Sequence, residues 1–229
     1  MPLSQKRKKK PAILYLLLQK TIFMFCLECA EKHIPLKLDR TTWNKYETAY
    51  IYVGLWSLYR NPYQPLDQRS QTFLENFVSR SQRRIALDVF APDHVSSIVS
   101  IVSAVPRFGK VRVNCFLHVG SPWINLFIEA MRSARVDSLD LDAYIKVTEE
   151  FHLGIAEFTR NSNFKKIRVL PDDEEGHDEL FDLFSRRRQN LEDRGKNAIF
   201  GFGKPGVEEA PGFSHLWTCN PRRLLLFLK

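Results

Sequence analysis

Cysteine is scarce, and histidine never falls at ligand spacing. Four cysteines in 229 residues (Cys26, Cys29, Cys115, Cys219) are too few and too scattered for a disulfide framework. The scarcity favours an intracellular setting, cytoplasmic or nuclear, with Cys115 as a reduced residue facing inward from a strand. The six histidines (His33, His94, His118, His152, His177, His215) form no H-E-x-x-H or other paired pattern. Cys26 and Cys29 have C-x-x-C spacing but no second pair nearby. Even with His33 they make three ligands where zinc needs four, so two small apolar residues on a buried helix is the plainer reading. There is no G-x-S-x-G and no phosphate-cradling P-loop. Gly201–Gly206 matches G-x-G-x-x-G, but Pro205 lies inside it and Pro211 follows where a helix would have to open. Asp172–Glu175 lacks the alternating oxygen ligands and glycine of a calcium loop. It reads as the acidic start of a helix. No catalytic constellation, metal or cofactor is expected.

A membrane-length apolar run is also missing. Ala12–Cys29 comes nearest, but Gln19, Lys20 and Glu28 interrupt it. A lysine near the centre of a span costs about 2.5–3.5 kcal/mol on insertion. The unbroken stretch Ala12–Leu18 is short for a secretory signal, with no clear small-residue cleavage site after it. Residues 12–32 are therefore expected to form a buried soluble helix. Pro11 suits its first turn, and Leu14, Leu17, Leu18, Thr21, Phe25 and Cys29 lie on one stripe. The alternative is a signal anchor, since the basic flank is on the correct side.

Positive charge is concentrated. Five of the eight excess charges form the run Lys6-Arg7-Lys8-Lys9-Lys10. Residues 1–10 are expected to be a disordered basic tail. The same run could instead bind nucleic acid or acidic lipid, or serve as a nuclear address.

What the chain has in quantity is repetition. Four apolar strands, Arg83–Phe90, Lys110–Leu117, Val136–Ala143 and Phe164–Pro171, are each followed by a helical pattern. Their anchors Ile85, Val111, Leu139 and Ile167 recur about every 28 residues, inside the leucine-rich-repeat range of roughly 20–29. The first helix, Asp93–Val105, carries Val95, Ile98, Val99 and Val102 at helical spacing. The second, Pro122–Arg135, has Ser121 as cap and Pro122 in the first turn. The third, Thr148–Ser162, opens with Glu149 and Glu150 beside the positive helix end. The fourth, about His177–Gln189, has acid before it and Arg186–Arg188 at its end. Such βα units cannot bury their apolar faces alone and stack side by side. The expected fold is α/β: a leucine-rich-repeat-like βα solenoid arc with parallel strands, preceded by a short helical segment.

Period-two alternation then assigns faces. Ile85, Leu87, Val89, Val111, Val113, Cys115, Leu139, Leu141, Ile167 and Val169 point inward. Arg84, Asp88, Arg112, Asn114, Asp140, Asp142, Lys166 and Arg168 share the other face and are the candidate partner-binding residues. The plainer alternative is a solvated face whose charges neutralise one another. Ahead of the repeats, Trp43–Leu58 suits a strand, Arg60–Gln68 a turn and Gln71–Arg80 a helix. The expected organisation is 1–10 tail, 11–45 helical segment, 46–80 connecting strand and helix, 81–192 four βα repeats, and 193–229 C-terminal loop and capping strand. Asn197–Phe202 and Arg222–Leu228 are the strand candidates in the last part.

Phe25-Cys26-Leu27-Glu28-Cys29, then Leu36-Lys37-Leu38 and Trp43, placed before the block Arg83–Asn190, resembles nematode-type F-box-associated proteins with a degenerate leucine-rich-repeat-like domain. The resemblance implies an F-box-like helical segment over 11–45 and an adaptor that presents substrates to a cullin-type ubiquitin ligase. The expected function is a non-enzymatic protein–protein interaction module that takes a protein partner on the concave strand face, with ligase subunits as further partners. The alternative is a nucleic-acid-associated protein acting through the basic tail. Membrane association is not expected.

Overall fold

Alternation of apolar and polar residues sets the strands, and apolar residues three and four apart set the helices. The computed structural model describes residues 9–19, 22–29, 32–33, 45–55, 64–90, 96–114, 117, 120–194, 197–201 and 216–218. The elements in chain order are β1 (Lys10–Gln19), β2 (Ile22–Cys29), β3 (Lys32–His33), β4 (Tyr46–Leu55), β5 (Gln64–Pro65), α1 (Gln68–Ser79), β6 (Ile85–Val89), α2 (Ser96–Ser103) and β7 (Phe108–Val113). They continue as α3 (Pro122–Arg132), β8 (Ser138–Ile145), α4 (Glu149–Phe158), β9 (Lys166–Pro171), α5 (Glu174–Asp193), β10 (Asn197–Gly201) and β11 (Leu216–Thr218). The protein is mixed α/β with mostly parallel strands. No helix among the described residues is long and apolar enough to cross a membrane.

The chain divides into two compact units: residues 1–87 with 97–107, and residues 88–96 with 108–229. In the first, β1 pairs antiparallel with β2 and parallel with β4. The helix expected over 12–32 is therefore two strands. Ala12, Leu14 and Leu16 are buried while Ile13 and Tyr15 are half-exposed, a period of two rather than 3.6. Apolar residues on both faces hid that period. Lys10 heads β1, and its N–H donates to the Lys45 carbonyl at 2.9 Å, so the last residue of the expected tail belongs to the fold. The strand expected within 43–58 is β4, and the helix expected at 71–80 is α1. Asp67 caps α1 through a 2.7 Å bond from the Ser70 N–H, and Ser70, Leu74 and Val78 are its buried face. Asp67 is held below the usual carboxylate range chiefly by that bond. Glu75 on α1 accepts from Ser100 Oγ on α2 at 2.6 Å.

The second unit carries the last three of the four expected repeats; Ile85–Leu87 of the first repeat's strand and most of its helix α2 belong to the first unit. β7, β8, β9 and β10 lie side by side in chain order and all run parallel, and β11 closes the row antiparallel to β10. Val111, Leu139 and Ile167 sit in one register row, so the sequence period is realised as strand pairing. At the strand entrances a backbone ladder repeats. The Phe108 N–H donates to Arg135, Asp137 to Phe108 and Lys165 to Asp137, at 2.6, 3.1 and 2.8 Å. Residues 111, 113, 139, 141, 167 and 169 are all buried, as alternation requires.

Helices cover that apolar side. Gly154 of α4 lets α3 approach closely: a Cβ there would lie 3.2 Å from the Met131 methyl and 3.5 Å from Ile128 Cγ2. Ser121 and Thr148 cap α3 and α4 by accepting from the Trp123 and Phe151 N–H groups at 3.4 and 3.3 Å. The last helix runs on to Asp193, well past its expected end. From it Arg187 donates to the Ala156 carbonyl and Thr159 hydroxyl, and Arg194 follows with bonds to the Thr159 and Asn161 carbonyls at 3.1 and 2.8 Å. Cations at the end of α4 satisfy its orphan carbonyls and oppose its dipole. Cys115, Cys219, residues 34–44, the expected strand at 222–228 and most of the Gly201–Gly206 motif lie outside the described residues.

Candidate functional site

In the second unit, helices bury one side of each strand and leave the alternate residues half-exposed. Asp88, Lys110, Arg112, Asn114, Lys166 and Arg168 all belong to this second set. Register fixes their rows. Arg112 stands opposite Asp140, and Asp140 opposite Arg168. Lys166 stands beside Ser138 on one side and Asn197 on the other.

The charges alternate across the strands. Arg112 Nη1 lies 4.0 Å from Asp88 Oδ2, and Arg168 Nη1 lies 3.6 Å from Asp140 Oδ1. Asp140 is buried, at 7% exposure, and the flanking guanidinium groups offset the cost of removing its charge from water. The Arg112 side chain keeps 40% of its surface and that of Arg168 25%, so the cations face outward over a sunken carboxylate. Burial pushes the Lys166 ammonium below the usual lysine range. Asp140 opposes that shift, while Arg168, Lys110 and Arg112 add to it. A cation held beside other cations and partly desolvated is poised to gain from an incoming anion.

Of the eight sequence-predicted residues, six come together here: Asp88, Arg112, Asn114, Asp140, Lys166 and Arg168. Arg84 does not join them. It precedes β6, is exposed and belongs to the first unit. The side chain of Asp142 lies outside the described residues. Asn114 follows Arg112 on the same face, and its Oδ1 is buried without a hydrogen-bond partner, an acceptor that a donor from a partner could satisfy. Alternation also reaches Lys110, two residues before Arg112, which belongs on this face. Between Asp140 and Tyr144 the register of β8 against β9 shifts, an irregularity of the kind that re-aims side chains at strand ends.

Among the described residues no group of three or more histidine, cysteine or acidic side chains could hold a metal ion. Cys26 is buried on β2, and burial, with Glu28 nearby, pushes its thiol up to about 11, far from a reactive thiolate. Comparison of the chain with protein-family models, with curated proteins and with solved structures returns no match.

Proposed function

We propose that the chain is a non-enzymatic protein-interaction module whose βα units form a leucine-rich-repeat-like arc, with the charged strand face as its docking surface. The observation that carries this is the in-register row Arg112–Asp140–Arg168, flanked by Asp88 and Lys166, on the side of the strands opposite the apolar core. A partner of mixed charge fits it, with acidic groups on Arg112 and Lys166. Exposed charges of this kind set association rate and specificity, and an arginine anchor can dominate affinity.

Proximity labelling on the full chain names the partner, and surface variants then test the site. Arg112→Ala and Lys166→Ala are expected to lose it. Leu153→Ser and Phe181→Ser, on exposed helix positions, are expected to keep it. The opposite pattern would place the interface on the helices and overturn the assignment.

The narrower reading is a substrate adaptor of a cullin-type ubiquitin ligase, and it rests on the resemblance through Phe25–Cys29 and Trp43. An F-box docks through helices, whereas Ile22–Cys29 is a strand with Phe25 and Cys26 buried. Ligase docking would therefore need a surface other than this segment. Recovery of ligase subunits with the full chain supports the adaptor reading; their consistent absence removes it and leaves the interaction module.

A further inference from the structure

Lys9, from the basic run, and aromatic rings far from it in the sequence meet in the first unit. A groove of about 670 Å³ lies along α1 and the start of β4. Three cations line it: Lys9, Arg69 and Arg80. So do three aromatic side chains, Tyr46, Phe73 and Phe77. Phe73 and Phe77 are one helical turn apart, with centroids 6.4 Å apart and ring planes within 9° of each other. Both are half-exposed, because Ser70, Leu74 and Val78 take the core-facing side of the same helix. The carboxylate among the lining residues, Glu47, is ion-paired with Arg83 and so does not cancel the cations of the groove.

We infer that this groove binds single-stranded nucleic acid, with bases stacked on Phe73 and Phe77 and phosphates on Lys9, Arg69 and Arg80. Flat rings flanked by cations are the means by which such strands are held without base-specific contacts. A duplex, whose bases are already stacked, would use the cations and leave the rings idle. A phosphopeptide would do the same.

The test is fluorescence anisotropy of the full chain with labelled oligothymidylate and oligouridylate. Affinity is expected to fall roughly twentyfold between about 50 and 200 mM salt, as three phosphate contacts on a single strand require. Phe73→Leu and Phe77→Leu are each expected to cost about tenfold without changing the salt slope, since each removes one stacking surface. Arg69→Gln with Arg80→Gln is expected to flatten the slope. Should either leucine variant unfold, the arginine pair, both exposed, carries the test alone. The two oligonucleotides distinguish DNA from RNA as the source of the strand. No binding at the lower salt overturns the inference. So does unchanged affinity in the leucine variants or in the arginine pair, or tighter binding of duplex, heparin or a phosphopeptide than of the oligonucleotides.

Discussion

Lys166 and Asp140 place opposite demands on the charged face. The Lys166 ammonium is held below its ordinary pKa mainly by burial, so between that lowered value and the ordinary 10.5 the unfolded chain binds more protons and stability rises with pH. While the ammonium is charged, its desolvation weakens the fold. Lys166→Met is therefore expected to raise the melting temperature while weakening partner binding, a pattern read by thermal denaturation and a binding assay on the same variant. Asp140→Asn has the reverse effect on stability. It removes the anion among Arg112, Lys166 and Arg168, and should cost on the order of 2 kcal/mol, more at low salt than at high. Cys26 gives a third test at this scale. Its thiol titrates near 11 in the fold and near 9.0 when exposed. The associated stability is fully present below pH 9 and declines as pH rises towards 11, because only the unfolded thiol ionises in that window. Native Cys26 should resist alkylation at pH 8 and react once the chain is unfolded.

At the scale of elements, the repeats were legible because several local signals agreed. Ser121 and Thr148 cap the helices as their side chains predict, and the period of about 28 residues becomes the row Val111–Leu139–Ile167. The N-terminal strands were not legible. In Leu14-Tyr15-Leu16-Leu17 both faces are apolar or aromatic, so neither period stands out, and parallel pairing of β1 with β4 is a long-range contact that no local window contains. The charged face was half-legible. Alternation found its members, but the burial of Asp140 and the departure of Arg84 depend on how units divide and strands pair. Leu139 is the element-scale test, being 1% exposed and paired on both sides in the central row. Leu139→Asp would bury an unpaired carboxylate at a cost of several kcal/mol, comparable to the stability of a domain. Loss of cooperative unfolding by circular dichroism is the expected result, and a folded variant would show that this row is not the core of the repeats.

At the scale of the whole molecule, two surfaces of different chemistry belong to two different units. The strand face of the second unit alternates cations with the carboxylates of Asp88 and Asp140 and has no aromatic platform among its described members. The groove of the first unit joins cations to stacked rings. Because the two lie on separate sets of residues, their energetics should be close to additive, as holds for sites with no shared partners. Arg112→Ala should weaken the protein partner, with only a small shift in melting temperature because the side chain is 40% exposed, and should leave oligonucleotide affinity within twofold or so. Phe73→Leu should do the converse. Titrating both variants with both ligands reads the four values directly. If Arg112→Ala weakens oligonucleotide binding as much as protein binding, the two surfaces serve one ligand, and the division of labour between the units is wrong.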